Sequence, residues 1–284
     1  MFRLCHAQHT IDTSRIIKKR FISMCATTGV AYTAAMIGLG TVWYKGEPKT
    51  RFHFFNDNDQ WLQMDKYGHM ATAFQESKTA ISLLGWSGVS RKKSIIYGSL
   101  AGFLFQAPIE IFDGFSPSYG ASYGDFLANA AGGGLAFAQY MLWDESRLNV
   151  KISFHRTPFA RQRPKVLGGS LAEEFFKDYN GQTYWLSANM KSFMPKKNKI
   201  PAWLNISLGY GAENMIYART AQNFDSTGLQ AYRQWYVSLD VDFERIPVKN
   251  KFLKILLSVA NTFKIPFPAV EFNRHGIVFR HLYF

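Results

Sequence analysis

The apolar positions of this 284-residue chain change period near residue 150. Before that point long apolar stretches follow helical spacing. After it, apolar and polar side chains alternate one for one. The first half predicts four helices, at about 16–44, 60–86, 90–112 and 122–143. Turn formers bound them: Gly46 and Pro48, then Gly85, Gly88 and Ser90, then the loop from Gly114 to Gly120. Asp57 or Asp59 is a candidate N-cap for the second helix. Ser122, with Asp125 three residues on, makes a capping box for the fourth. Pro108 predicts a kink just before Glu110. Gly132-Gly133-Gly134 inside the fourth helix costs roughly 1 kcal/mol per glycine against alanine. Close helix–helix approach is the expected compensation.

The second half predicts strands. Tyr184, Leu186, Ala188 and Met190 alternate with Trp185, Ser187, Asn189 and Lys191. Leu204, Ile206, Leu208 and Tyr210 do the same over 203–210. Trp235, Val237, Leu239, Val241 and Phe243 alternate with Tyr236, Ser238, Asp240, Asp242 and Glu244 over 235–244. Each strand has one apolar face, and Asp240, Asp242 and Glu244 are expected on a solvated one. Residues 150–156 and the aromatic terminus 275–284 add candidate strands. Residues 251–264 read as an amphipathic helix, with Leu253, Leu256, Leu257, Ala260 and Phe263 on one side. The fold class expected is α+β: an N-terminal bundle of about four apolar helices, followed by an antiparallel β-sheet or small incomplete β-barrel. The expected division is an N-terminal segment at 1–20, a bundle at 21–145 and a β-rich region at 146–284.

Composition sharpens the setting. The 25 Phe, 14 Tyr and 7 Trp suit either a membrane-facing surface or a large aromatic core. Mean hydropathy is −0.14, which argues against a conventional polytopic membrane protein. The net charge of +13 is spread over short clusters, at Lys18-Lys19-Arg20, Arg91-Lys92-Lys93 and Lys196-Lys197. No nucleic-acid motif accompanies them, so no nucleic-acid partner is expected. Membrane lipid or lipopolysaccharide is the expected partner, with envelope proteins as further candidates. Cys5 and Cys25 give neither a disulfide framework nor metal spacing. Met24 precedes Cys25 where a lipid-modified cysteine wants a small residue. Residues 21–44 are uncharged and long enough to cross a bilayer. They read as a signal-anchor or as a buried first helix, and His6-Ala7-Gln8 as the remnant of an export signal.

The candidate chemistry lies in three polar pairs set among Gly, Ala, Phe, Leu and Ile: Asp65/His69, Glu110/Asp113 and Asp125/Asn129. Each pair shares a helix face. Burying such carboxylates costs several kcal/mol unless they are paired, protonated or bound to a cation. All six are expected to converge between helices two, three and four, with Lys66 and Ser122 at the rim. Three chemistries fit. The first is a structural network in which Lys66 and His69 neutralise the acids. The second is a divalent metal held by His69, Glu110, Asp113 and Asp125. The third is hydrolysis with His69 as general base, oriented by Asp65 or Asp113, on water or Ser122.

The blocks Asp65-Lys66-Tyr67-Gly68-His69, Glu110-Ile111-Phe112-Asp113-Gly114-Phe115-Ser116 and Ser122-Tyr123-Gly124-Asp125-Phe126-Leu127-Ala128-Asn129 carry a resemblance. The pattern D-K-x-x-H, E-x-x-D-G-F-S, S-x-G-D-x-x-x-N over about 61–143 resembles the YfiM-like family of predicted periplasmic lipoproteins. Residues 52–65 and 178–186 look like its longer relatives in Bacteroidota. A looser similarity reaches the VanZ-like membrane family. The resemblance implies an envelope location, at the outer membrane or its periplasmic face, and implies no reaction. The chain departs from the family description in lacking a lipobox. The function expected is that of a structural or accessory envelope protein. The alternative is a metal- or His-dependent hydrolase acting on an envelope lipid or glycan.

Overall fold

The computed structural model of the protein describes residues 15–44, 46, 48–195 and 197–284. Cys5, His6-Ala7-Gln8 and Lys196 lie outside the described residues. Four long helices come first: α1 (Lys18–Trp43), α2 (Met64–Trp86), α3 (Arg91–Gly114) and α4 (Tyr123–Trp143). Helix α2 is the central element, against which α3 and α4 both pack closely. Close approach is where the glycines act. A Cβ on Gly102 of α3 would sit 2.1 Å from the Ala73 carbonyl oxygen of α2. One on Gly132 of α4 would sit 2.3 Å from that of Met70. The helix propensity lost at the Gly-Gly-Gly run therefore allows backbone-to-backbone packing. Gly134 faces open space and plays no such part.

The structure corrects one helix-end expectation. Neither Asp57 nor Asp59 caps α2. The helix is entered through a tight turn at Trp61–Gln63 with left-handed backbone at all three residues. Helix α3 continues through Pro108 to Gly114. The Ser122 cap is present, its hydroxyl accepting from the Asp125 N–H at 3.2 Å.

Helix α1 has no buried residue, which removes the reading of a buried first helix. It runs alongside α3 in the same direction. The Ile17 N–H donates to the Ser87 carbonyl, the Tyr32 hydroxyl to that of Phe105, and the Tyr44 hydroxyl to Asp113. Both helices are long and apolar enough to cross a bilayer. Their basic starts, Lys18-Lys19-Arg20 and Arg91-Lys92-Lys93, consequently lie at one end of the bundle. Arg20 there stacks over Trp86 at 5.4 Å.

Six strands follow in a sheet of order β1-β2-β3-β4-β5-β6, each antiparallel to the next and the sheet not closed. They are β1 (Leu148–Phe154), β2 (Gln182–Asn189), β3 (Leu204–Glu213), β4 (Tyr232–Val241), β5 (Phe267–Asn273) and β6 (Gly276–Tyr283). Short helices α5 (Pro164–Leu167) and α6 (Leu171–Lys177) lie between β1 and β2. Helix α7 (Met190–Phe193) follows β2, α8 (Thr220–Thr227) follows β3 and α9 (Lys251–Ala260) follows β4. Met190 and Lys191 therefore leave the expected strand, because the Asn189 side chain caps α7. The sheet curls strongly: the Tyr283 hydroxyl of β6 reaches Thr183 of β2 at 2.9 Å. Bundle and sheet share one apolar core, in which Leu62, Met64 and Phe74 meet Val150, Tyr184 and Tyr210.

Where the bundle does not cover it, the sheet turns an apolar face outward. Ile206, Leu208, Trp235, Val237 and Leu239 line its convex face and are exposed, Leu208 by 58% and Trp235 by 51%. The register sets Leu208 beside Leu186 and Val237, so the stripe is continuous across strands. The concave face is buried, with an aromatic cluster of Trp185, Tyr236 and Tyr283 beside a polar network. Lys151 and Asp240 pair at 2.8 Å with side chains 0% exposed. Ser187, Ser207 and Asn205 complete that network around Asp240. The expectation of a solvated row is thus overturned for Asp240 and Asp242, both buried. Glu244 is partly exposed and pairs with Lys78 at 2.8 Å. Alternation marked the two faces correctly, but the curl turns the polar one inward.

Candidate functional site

The polar residues of α2, α3 and α4 meet at the bundle end opposite the basic clusters. Asp65 and His69 lie in the first two turns of α2, Glu110 and Asp113 in the last two of α3, and Asp125 and Asn129 in the first two of α4. Lys66 is at the centre rather than the rim. Its ammonium touches Asp57 at 2.7 Å, Asp65 at 2.9 Å and Asp125 at 2.9 Å. Ser122 is also buried. Its N–H donates to Glu110 Oε2 at 3.0 Å and its hydroxyl to Asp57 Oδ1 at 2.6 Å. Asp57, from the connection before α2, is a member that sequence reasoning did not select. Its only signal was its place in the acidic-aromatic run at 52–59.

His69 faces the acids. Asn129 Oδ1 lies 3.2 Å from His69 Nδ1, and as an acceptor it requires the Nδ1 proton. Nε2 then points to Glu110 Oε1 at 3.6 Å and Asp125 Oδ1 at 3.8 Å. Neither Asp65 nor Asp113 orients the ring. Asp65 turns to Lys66, and Asp113 accepts from the Tyr44 hydroxyl of α1 at 2.7 Å. Asp113 borders the cluster without joining it. Ser122 is committed to Asp57, Glu110 and Asp125, and no bond to His69 activates it as a nucleophile.

The electrostatics follow burial and crowding. Burial pushes the Asp65 carboxyl up to about 6, with Asp125 and Asp57 adding and Lys66 opposing. Burial works against a charged His69, but Asp125, Glu110 and Asp65 outweigh it and raise its pKa above the ordinary value. Burial likewise opposes the Lys66 ammonium, and the surrounding carboxylates overcome it and raise its pKa. Asp57 is held below the usual range, since hydrogen bonds from Lys66 and Ser122 outweigh its burial. Four side-chain atoms at the cluster are buried with no hydrogen-bond partner among the described residues: Asp65 Oδ1, Glu110 Oε1, Asn129 Nδ2 and Asp125 Oδ1, the last in an ion pair with Lys66.

A cavity of about 940 Å³ opens on this cluster. One end is acidic, lined by Asp57, Asp65, His69, Asp113 and Asp125. The walls are apolar, from Ala35, Met36 and Leu39 of α1, Phe105 and Ile109 of α3, and Phe175 and Phe176 of α6. Arg163, Lys165 and Lys177 also line it, and the Lys177 ammonium lies over the Trp43 ring of α1 at 5.3 Å. Glu76 also lines it. Burial lifts its carboxyl to about 7, against the Gln106 hydrogen bond at 3.0 Å.

Residues 53–141 match a family described as predicted periplasmic lipoprotein (DUF2279). The matched span contains every member of the cluster and leaves out α1 and the sheet. No curated protein and no solved structure matches the chain. Cys25, the one described cysteine, is exposed on α1.

Proposed function

We propose that this chain is an accessory protein of the bacterial envelope, seated in the outer membrane or at its periplasmic face. In this reading it holds an amphiphile such as a membrane lipid or lipopolysaccharide in the cavity. The observation that carries the reading is the outward apolar face of the sheet, with a buried Lys–Asp pair inside and Trp, Leu, Ile and Val outside. Water rewards the opposite arrangement, whereas hydrocarbon rewards this one. Helix α1 adds an apolar span with no fully buried residue, and the basic clusters at one bundle end suit anionic headgroups. The cavity joins a charged end to apolar walls, which matches a polar head with an acyl portion. The likeness of the helical blocks to the YfiM-like and VanZ-like families supports the envelope setting.

A second reading is a metal- or His-dependent hydrolase acting on an envelope lipid or glycan. It is favoured by one observation: a histidine fixed by Asn129 beside a buried, unpartnered Glu110 oxygen. Alkaline carbonate extraction of membranes tests the seat. The reading expects the chain to stay in the pellet, with lipid recovered from the purified protein by mass spectrometry. Release of the folded chain to the supernatant would remove it.

A further inference from the structure

We infer that His69, Glu110 and Asp125 form a binding site for one divalent cation of the transition series, of the Zn²⁺ or Mn²⁺ type. The first argument is charge. Asp57, Asp65, Glu110, Asp113 and Asp125 crowd one buried region against Lys66 and His69 alone. Uncompensated charge of this kind is costly in a low dielectric.

The second argument is a comparison within the site. Two acid-rich trios have ligand atoms within 4.8 Å of one another: Asp57/Asp65/Asp125 and His69/Glu110/Asp125. The first already surrounds a cation, the Lys66 ammonium. The second meets that ammonium only through the shared Asp125 Oδ1, at 2.9 Å, while its Glu110 side chain is 0% exposed and Oε1 accepts no hydrogen bond. Atoms at 3.6 and 3.8 Å are too far apart to hydrogen-bond well. They suit ligands on a shared ion, since bonds of about 2.1 Å at tetrahedral angles place ligand atoms about 3.4 Å apart.

The third argument is the surrounding support. Asn129 holds the Nδ1–H, so the imidazole offers the Nε2 lone pair inward, as a metal-bound histidine requires. One nitrogen with carboxylate oxygens favours zinc or manganese over magnesium or calcium, which prefer oxygen throughout. The set of candidate ligands narrows accordingly to three residues: Asp113, a ligand candidate by spacing, is held by Tyr44 instead.

This site would provide the metal of the hydrolase reading, yet it stands or falls by binding alone. The test is calorimetric titration of the chelator-stripped full chain in detergent with Zn²⁺, Mn²⁺ and Mg²⁺. One equivalent of Zn²⁺ or Mn²⁺ is expected to bind, and Mg²⁺ at least about tenfold more weakly. Glu110→Gln should abolish binding, and Asn129→Ala should weaken it by about 10–100-fold. Asp113→Asn should bind as the wild type does. If Glu110→Gln fails to fold by circular dichroism, Asn129→Ala decides the matter. No saturable Zn²⁺ or Mn²⁺ binding by the wild type, or unchanged binding by folded Glu110→Gln or Asn129→Ala, would overturn the inference. The membrane seat is judged separately by carbonate extraction.

Discussion

Replacing Lys66 by methionine isolates the charge compensation on which the cluster depends. Methionine keeps the length and apolar stem of the side chain and removes the ammonium. Three carboxylates, at 2.7, 2.9 and 2.9 Å, lose their common partner. Breaking a buried ion pair from one side costs about 3–5 kcal/mol, because a charge is left without compensation. That is a large share of the roughly 5–15 kcal/mol that holds an ordinary domain together. The loss depends on pH. In the wild type the Asp65 pKa is about 6, against 3.8 ordinarily. Folded Asp65 therefore holds its proton more tightly than unfolded Asp65. Its contribution is full below pH 3.8 and is lost as pH rises through about 6, by about 3 kcal/mol. Without Lys66 that carboxyl titrates higher still, so acid relieves the variant more than the wild type. Thermal unfolding in detergent, followed by circular dichroism at pH 5 and pH 8, reads both effects. Lys66→Met should be strongly destabilised at pH 8 and much less so at pH 5. A variant within about 1 kcal/mol of wild type at pH 8 would mean that the acids are solvated separately, and mutual compensation would be refuted.

Two further outcomes follow from packing and from the sheet interior. Gly132→Ala should destabilise by about 1–3 kcal/mol because its Cβ meets the Met70 carbonyl. Gly134→Ala, two residues on in open space, should stabilise by up to about 1 kcal/mol; chemical denaturation distinguishes them. Lys151→Met alone should cost about 3–5 kcal/mol, and adding Asp240→Leu should recover most of it. A double variant no better than the single one would show that the pair is not coupled.

The sequence reading and the structure agree where period and spacing decide the outcome. Helical spacing placed Asp65 with His69 and Asp125 with Asn129 on inward faces, and the Gly-Gly-Gly run announced close packing. Alternation separated Leu208 and Trp235 from Ser207 and Asp240. It could not say which face is buried, because that depends on the curl of the sheet, a property of six strands together. Polarity alone predicts a solvated face, and Asp240 and Asp242 show the reverse. Asp57 escaped for a related reason. It reaches Lys66 from a connection with no period, so only the fold brings it there. Asp113 had the right spacing, but α1 packs on α3 and Tyr44 claims it.

The central claim is that hydrocarbon, not water, covers the convex face of the sheet. Spin labels on β3 test it most directly, in the full chain reconstituted into phospholipid vesicles. Labels at Ile206→Cys and Leu208→Cys should be accessible to oxygen and shielded from a water-soluble nickel reagent. A label at Ser207→Cys, on the buried face between them, should be shielded from both. Ready collision of the 206 and 208 labels with the nickel reagent would contradict the account.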